Sequence, residues 1–388
     1  MKQIFTPGRR HWLRGATAFC ATGLLGHWPA LAAAAVREPA AKFGPLGVAD
    51  EHGVRLPRGF KARLLVSSGQ RVPGSDYAWH TAPDGGATFA TKDHGWVYVS
   101  NAEVADQQGG AGALQFDARG NLIASYAILQ GTTRNCAGGP TPWGTWLSCE
   151  EIAHGIVYEC DPLRPSQGLP RPLLGTFSHE AAAVDPATGF VYLTEDDQHG
   201  RLYRFRPQAF GKLAAGVLEA ASVGADRRVT WIQVSPTAPH RGDDSTPFAR
   251  GEGAWYADGS IYFTTTADHR VWAYSVTDSR LDVIYDALAS GANGVLRDPD
   301  NLTMQAATGA LFVAEDADDL QLVMLVPTEG RWAASPFLQF EGHADSEVAG
   351  AAFSPDGTRL YLSSQRGRDG EHGMTFEISG PFGGASHR

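Results

Sequence analysis

Residues 135–151 read NCAGGPTPWGTWLSCEE, a run that sets Cys149 directly beside Glu150 and holds almost no aliphatic side chains. Acids recur further along the chain. Glu180, Glu195 and Asp196 lie in HEAAAVDPATGFVYLTED, and Asp300, Asn301, Glu315 and Asp316 lie in PDNLTMQAATGALFVAED. Close carboxylates raise one another's pKa unless cations neutralise them. Oxygen-rich sets of this kind suit hard cations, Ca2+ above all. A thiol with a carboxylate suits a transition metal better. A disulfide between Cys136 and Cys149 is the competing reading of the same pair, and the residues alone leave both open. In FARGEGAWYADGSIYF, Arg250 and Glu252 are two apart, so an extended strand turns both to one face. A guanidinium there can grip the oxygens of a phosphate or carboxylate, or pair with a neighbouring acid. One arginine with several cations at a concave mouth would stabilise the charge that develops in phosphoryl transfer.

These side chains need a scaffold that brings them together, and an internal repeat supplies one. Six apolar stretches with polar ends start at residues 95, 144, 189, 259, 309 and 358, separated by 49, 45, 70, 50 and 49 residues. A four-stranded propeller blade takes roughly 40–50 residues. The spacing predicts an all-β fold, a six-bladed β-propeller, with an insertion around 210–248 in the long interval. Turns such as DPATG, ADG and SPDG join each stretch to a preceding strand, making hairpins. Antiparallel pairing then sets Glu180 near Glu195 and Asp196, Asp300 and Asn301 near Glu315 and Asp316, Asn135 beside Glu150, and Glu252 opposite Thr266. The first strand of each blade lines the central channel, so these ends gather into an acidic ring at one mouth.

The chain has 388 residues and a formal net charge of -10. That balance argues against nucleic acid or an anionic membrane as partner, since both need a basic footprint. Arg9 and Arg10, a moderately apolar stretch and an Ala-rich end read as a twin-arginine-type signal peptide over 1–35. The expected remainder, 36–388, is a single propeller domain, a periplasmic or secreted monomer with no membrane anchor. Of four cysteines, Cys20 leaves with the signal and three remain. No GxSxG occurs, and His80, His179 and His343 have no evident nucleophile partner.

Between Asp76 and Gly367 these motifs, with EVAGAAFSPDGTRLYLSSQ, resemble the PhoX-type alkaline phosphatases. The resemblance implies a six-bladed propeller exported by the twin-arginine machinery that hydrolyses small phosphomonoesters with a mixed Fe3+ and Ca2+ cluster. By resemblance Cys149 matches an iron-ligating cysteine, Arg250 a phosphate-contacting arginine and Glu252 an iron ligand. Glu180, Glu195, Asp196, Asp300, Asn301, Glu315, Asp316 and Glu347 fall in ligand-supplying segments, and Asn101 with Glu103 forms a further position; Glu150 is a candidate ligand from its own place beside Cys149, the position that carries an acid in other blades. Two other readings stand beside it. A Ca2+-dependent lactonase-like propeller would need neither Cys149 nor Arg250, and a non-catalytic Ca2+-stabilised propeller would need no arginine among its ligands.

Overall fold

The computed structural model describes residues 43–291, 294–316 and 319–382. The signal-peptide reading of 1–35, and Cys20 with it, falls outside them. Six antiparallel sheets follow one another along the chain as blades. Their inner strands are Pro83–Ala90, Asn135–Pro140, His179–Val184, Gly251–Ala257, Pro299–Gln305 and Val348–Phe353, for blades 1 to 6 in turn. Each inner strand packs against the next, and the last against the first, closing a ring. All six repeated stretches of the sequence are second strands of their blades: Trp96–Ala102, Trp146–Glu150, Val191–Glu195, Ser260–Thr265, Ala310–Glu315 and Arg359–Ser364. Among the described residues no helix is long and apolar enough to cross a membrane.

Ring closure comes from the start of the described chain. Lys61–Ser67 pairs antiparallel with Met374–Ser379 and supplies the outer strand of blade 6. Upstream, Val54–Arg55 adds to the edge of blade 5. Blade 3 has a fifth strand, Val229–Gln233, after which the insertion runs back toward the mouth. There Phe248 is buried in the apolar cluster between blades 3 and 4.

The apolar core is divided among the six blade interfaces, one cluster to each. A strand sandwiched between two blades buries both faces, which is why the second strands are nearly continuous apolar runs. Toward the axis, by contrast, space is short. A Cβ on Gly85 would lie 2.4 Å from Ala137 Cα, and one on Gly253 would lie 2.7 Å from Asp300 O. The inner strands are therefore rich in Gly and Ala, and the missing aliphatics of 135–151 follow from this crowding.

Candidate metal centre

The same bulge recurs at the mouth end of every inner strand. Pairing shifts by one residue between Pro83 and Gly86, Asn135 and Gly138, His179 and Ala182, Gly251 and Ala254, Pro299 and Leu302, and Ala349 and Ala352. A bulge re-aims the extra residue's side chain. In five blades the residue entering the bulge is Asp84, Cys136, Glu180, Glu252 or Asp300. Blade 6 has Gly350 there, at φ 68°, and its carboxylate comes from Glu347 instead.

A second ring lies just past the end of each second strand. Glu103, Glu151, Asp196, Thr266, Asp316 and Gln365 donate their N–H groups to the carbonyls of Ala82, Arg134, Ser178, Arg250, Asp298 and Glu347, at 2.8–3.1 Å. This one backbone bond, made in all six blades, fixes the return position against the approach to the bulge. The result is three groups whose ligand atoms all lie within 4.8 Å of one another: Cys136, Glu151 and Glu180; Glu180, Glu252 and Asp300; and Asp84, Glu103 and Glu347. Glu180 belongs to two of them.

Burial first, and the charge of neighbouring acids second, push Asp84, Glu180, Glu252 and Glu347 well above the usual carboxylate range. Cys136 is pushed up for the same reasons, with Asp84 and Glu180 the nearest charges. Its Sγ lies 3.0 Å from Glu180 Oε1 and 3.6 Å from Asp84 Oδ2. Gln365 Nε2 donates to Asp84 Oδ2 at 2.6 Å and to Glu103 Oε2 at 3.0 Å. Arg250 donates to Asp196 Oδ1 and to Glu252 Oε1, both at 2.9 Å, and Thr266 Oγ1 also donates to Glu252 Oε1, at 2.6 Å. So many buried acids in contact with one another and a thiol are what a cation site requires, since bound cations would invert every one of these shifts.

The expected ligands divide cleanly. Glu103, Glu180, Glu252, Asp300 and Glu347 stand in the three groups. Asp196 is held by Arg250, and Asp316 lies near enough to Glu347 to raise its pKa. Cys149 is not brought to the mouth. Alternation along Trp146–Glu150 turns Leu147 and Cys149 into the apolar cluster between blades 2 and 3, where Cys149 is fully buried. The thiol among the acids is that of Cys136. No disulfide joins the two, for Cys136, Cys149 and Cys160 are all free.

Glu150, Glu195 and Glu315 fall one residue short of the mouth and bind loops instead. Glu150 accepts from Thr133 N at 2.9 Å and Ile156 N at 3.3 Å. Glu195 accepts from Arg201 N, from Tyr203 Oη and from Arg241, a residue of the insertion, at 2.6 Å. Glu315 accepts from Arg297 N at 2.7 Å.

Both asparagines make hydrogen bonds beside these groups. Asn301 Nδ2 donates to Asp300 Oδ1 at 2.7 Å and steadies that carboxylate. Asn101 ties blade 1 to blade 2. Its Nδ2 donates to Cys136 O and Ala137 O, at 3.1 and 2.7 Å, while its Oδ1 accepts from Trp146 Nε1 and Ser148 Oγ, at 2.9 and 2.8 Å. Burial lowers His80 to about 3 and His179 to about 4, leaving both neutral, and His179 stacks on Phe177.

Sequence reasoning missed Asp84, Cys136 and Glu151. A signal for Cys136 was present, since NCAGG, HEAAA and GEGAW align as inner strands once the bulge residue is taken as reference.

The protein-family model described as alkaline phosphatase PhoX matches residues 85–154 and 152–282. No curated protein matches the chain. Among solved structures, the fold is similar to that of Pseudomonas fluorescens PhoX in complex with vanadate, a transition-state analogue. That match has 17% identity and a TM-score of 0.68, covering 88% of this chain and 98% of that one. A gluconolactonase from Xanthomonas campestris is 15% identical, with 89% of this chain and 99% of that one covered at a TM-score of 0.49. A structural genomics protein of unknown function from Bacteroides thetaiotaomicron is 10% identical, with 82% and 76% covered at a TM-score of 0.50.

Proposed function

The chain belongs to the alkaline phosphatase PhoX family, and from that premise we propose that it hydrolyses small phosphate monoesters with metal ions held at the mouth of its propeller channel. The observation that carries this reading is the meeting of Cys136, Glu151 and Glu180 with two all-carboxylate groups beside Arg250. The thiol-containing group suits a transition metal, for which the family resemblance implies Fe3+, and the two all-oxygen groups suit the hard cation Ca2+. When bound, such ions supply Lewis-acid stabilisation of charge on the phosphoryl oxygens.

The chain's own residues do the rest. Asp196 and Glu252 hold the Arg250 guanidinium in one orientation at the mouth, about a quarter exposed. It grips the phosphoryl oxygens from there and favours the transition state, where their charge is redistributed. Asn101, through the carbonyls of Cys136 and Ala137, keeps the thiol-bearing bulge in place. We also propose that the protein works outside the cytoplasm, after export by the twin-arginine route, which carries folded cargo.

Natively exported protein should release phosphate from a chromogenic phosphomonoester at alkaline pH and lose that activity to a chelator. Full metal loading without turnover would overturn the reading. Hydrolysis of a lactone but of no phosphate ester would point to the lactonase-like alternative.

A further inference from the structure

Blades 2 and 4 carry an arginine at the same place. Arg134 and Arg250 each stand two residues before the side chain that enters the bulge, and both adopt a left-handed backbone, at φ 48° and 54°. The N–H of each donates at 2.8 Å to the preceding blade, Arg134 to Val104 O and Arg250 to Asp197 O. Each carbonyl accepts from its own blade's return position, Glu151 N at 2.8 Å and Thr266 N at 3.0 Å. Each guanidinium turns toward the return acid of the blade before it, Glu103 for Arg134 and Asp196 for Arg250. The left-handed backbone recurs at the same place in Ala82 of blade 1 and Asp298 of blade 5, at φ 48° and 42°, so it belongs to the common blade framework, and what sets blades 2 and 4 apart is the guanidinium each carries there.

The two arginines differ in how far they are engaged. Arg250 is 23% exposed and hydrogen-bonds two carboxylates. Arg134 is 47% exposed, and its 3.5 Å approach to Glu103 exceeds hydrogen-bond length. Glu103 is meanwhile shared with Gln365 Nε2 at 3.0 Å and approached by Arg366 Nη2 at 3.7 Å. Arg134 thus presents a charged fork to solvent at the rim, two blades away from Arg250.

We propose that Arg134 is a specificity-determining residue that binds a second oxyanion on the substrate, a carboxylate or further phosphate carried beside the ester. Arg250 holds the reacting phosphoryl group. The favoured substrates are then phosphomonoesters with two anionic groups. This rests on the phosphatase reading above.

The test compares 3-phosphoglycerate with glycerol 3-phosphate, which differ only in a carboxylate against a hydroxymethyl group. Metal-loaded wild type should favour the first in kcat/KM. Arg134→Gly suits the positive φ and so keeps the backbone, and it should cut that preference about tenfold, equivalent to about 1.4 kcal/mol. Arg134→Lys should fall between. No preference in wild type, or a preference unchanged by Arg134→Gly, overturns the proposal, as does an equal loss on both substrates.

Failure of wild type to hydrolyse either ester would sink the phosphatase reading instead. Binding then decides the arginine's role. Phosphonoacetate should raise the thermal midpoint of wild type more than methylphosphonate does, and Arg134→Gly should erase that difference. Equal shifts in wild type would overturn the proposal.

Discussion

Cys136→Ser and Cys149→Ser should have opposite signatures. Cys149 is fully buried among Leu147, Val157, Leu193 and their neighbours, so a serine hydroxyl there enters an apolar cluster. A hydroxyl buried in that way costs about 1–3 kcal/mol. For a large domain each kcal/mol moves Tm by about 2–4 °C, giving a drop of about 2–12 °C with iron content and turnover retained. Cys136 lies 3.0 Å from Glu180 and in contact with the acids of the mouth. Changing even a residue that supports a metal ligand typically costs 10–100-fold in metal affinity or activity. Cys136→Ser should therefore lose iron and at least about a hundredfold in kcat/KM, with little change in Tm when both proteins are metal-free. Elemental analysis, phosphomonoester turnover and thermal melts on the two variants read all three quantities. Iron and turnover lost from Cys149→Ser and kept by Cys136→Ser would refute the assignment of the mouth thiol.

Arg250→Lys keeps the charge but loses the fork, and should lower kcat/KM about tenfold to hundredfold, the worth of a charged hydrogen bond; a near-normal value would remove Arg250 from phosphate binding. Asn101→Ala strands two buried carbonyls and two donors, and should cost about 3 kcal/mol or more in a denaturant titration, together with weakened iron retention. Burial lifts Glu315 to about 9 from 4.5, so its protonated form contributes stability that is complete below about 4.5 and is lost as pH rises through about 9. The Tm of Glu315→Gln should accordingly fall less than that of wild type between pH 7 and 10, and parallel curves would show that Glu315 is not protonated when folded.

The propeller was legible because its hairpins repeat, and period and turn residues survive in the sequence where the blades themselves have diverged. Register at the mouth was harder to read. Asn135 pairs with Glu150 at a spacing of fifteen, while His179 pairs with Glu195 and Pro299 with Glu315 at sixteen. The hairpin of blade 2 is thus one residue shorter, and counting fifteen from each acid set Asn135 where Glu180 stands and passed over Cys136. The bulge then reverses which side chains face the channel, an offset that strict alternation cannot foresee. Glu150, Glu195 and Glu315 looked like ligands because they repeat, yet what repeats there is the binding of backbone N–H groups in neighbouring loops. Closure by Lys61–Ser67 carries no local signal, since its partner strand lies some three hundred residues away.

Metal content tests the central claim most directly. Natively exported wild-type protein, analysed for its elements before any reconstitution, should carry both iron and calcium, with iron absent from Cys136→Ser and both metals reduced in Glu180→Gln, whose carboxylate belongs to two groups. Protein with calcium alone, or active on phosphomonoesters with neither metal bound, would contradict it.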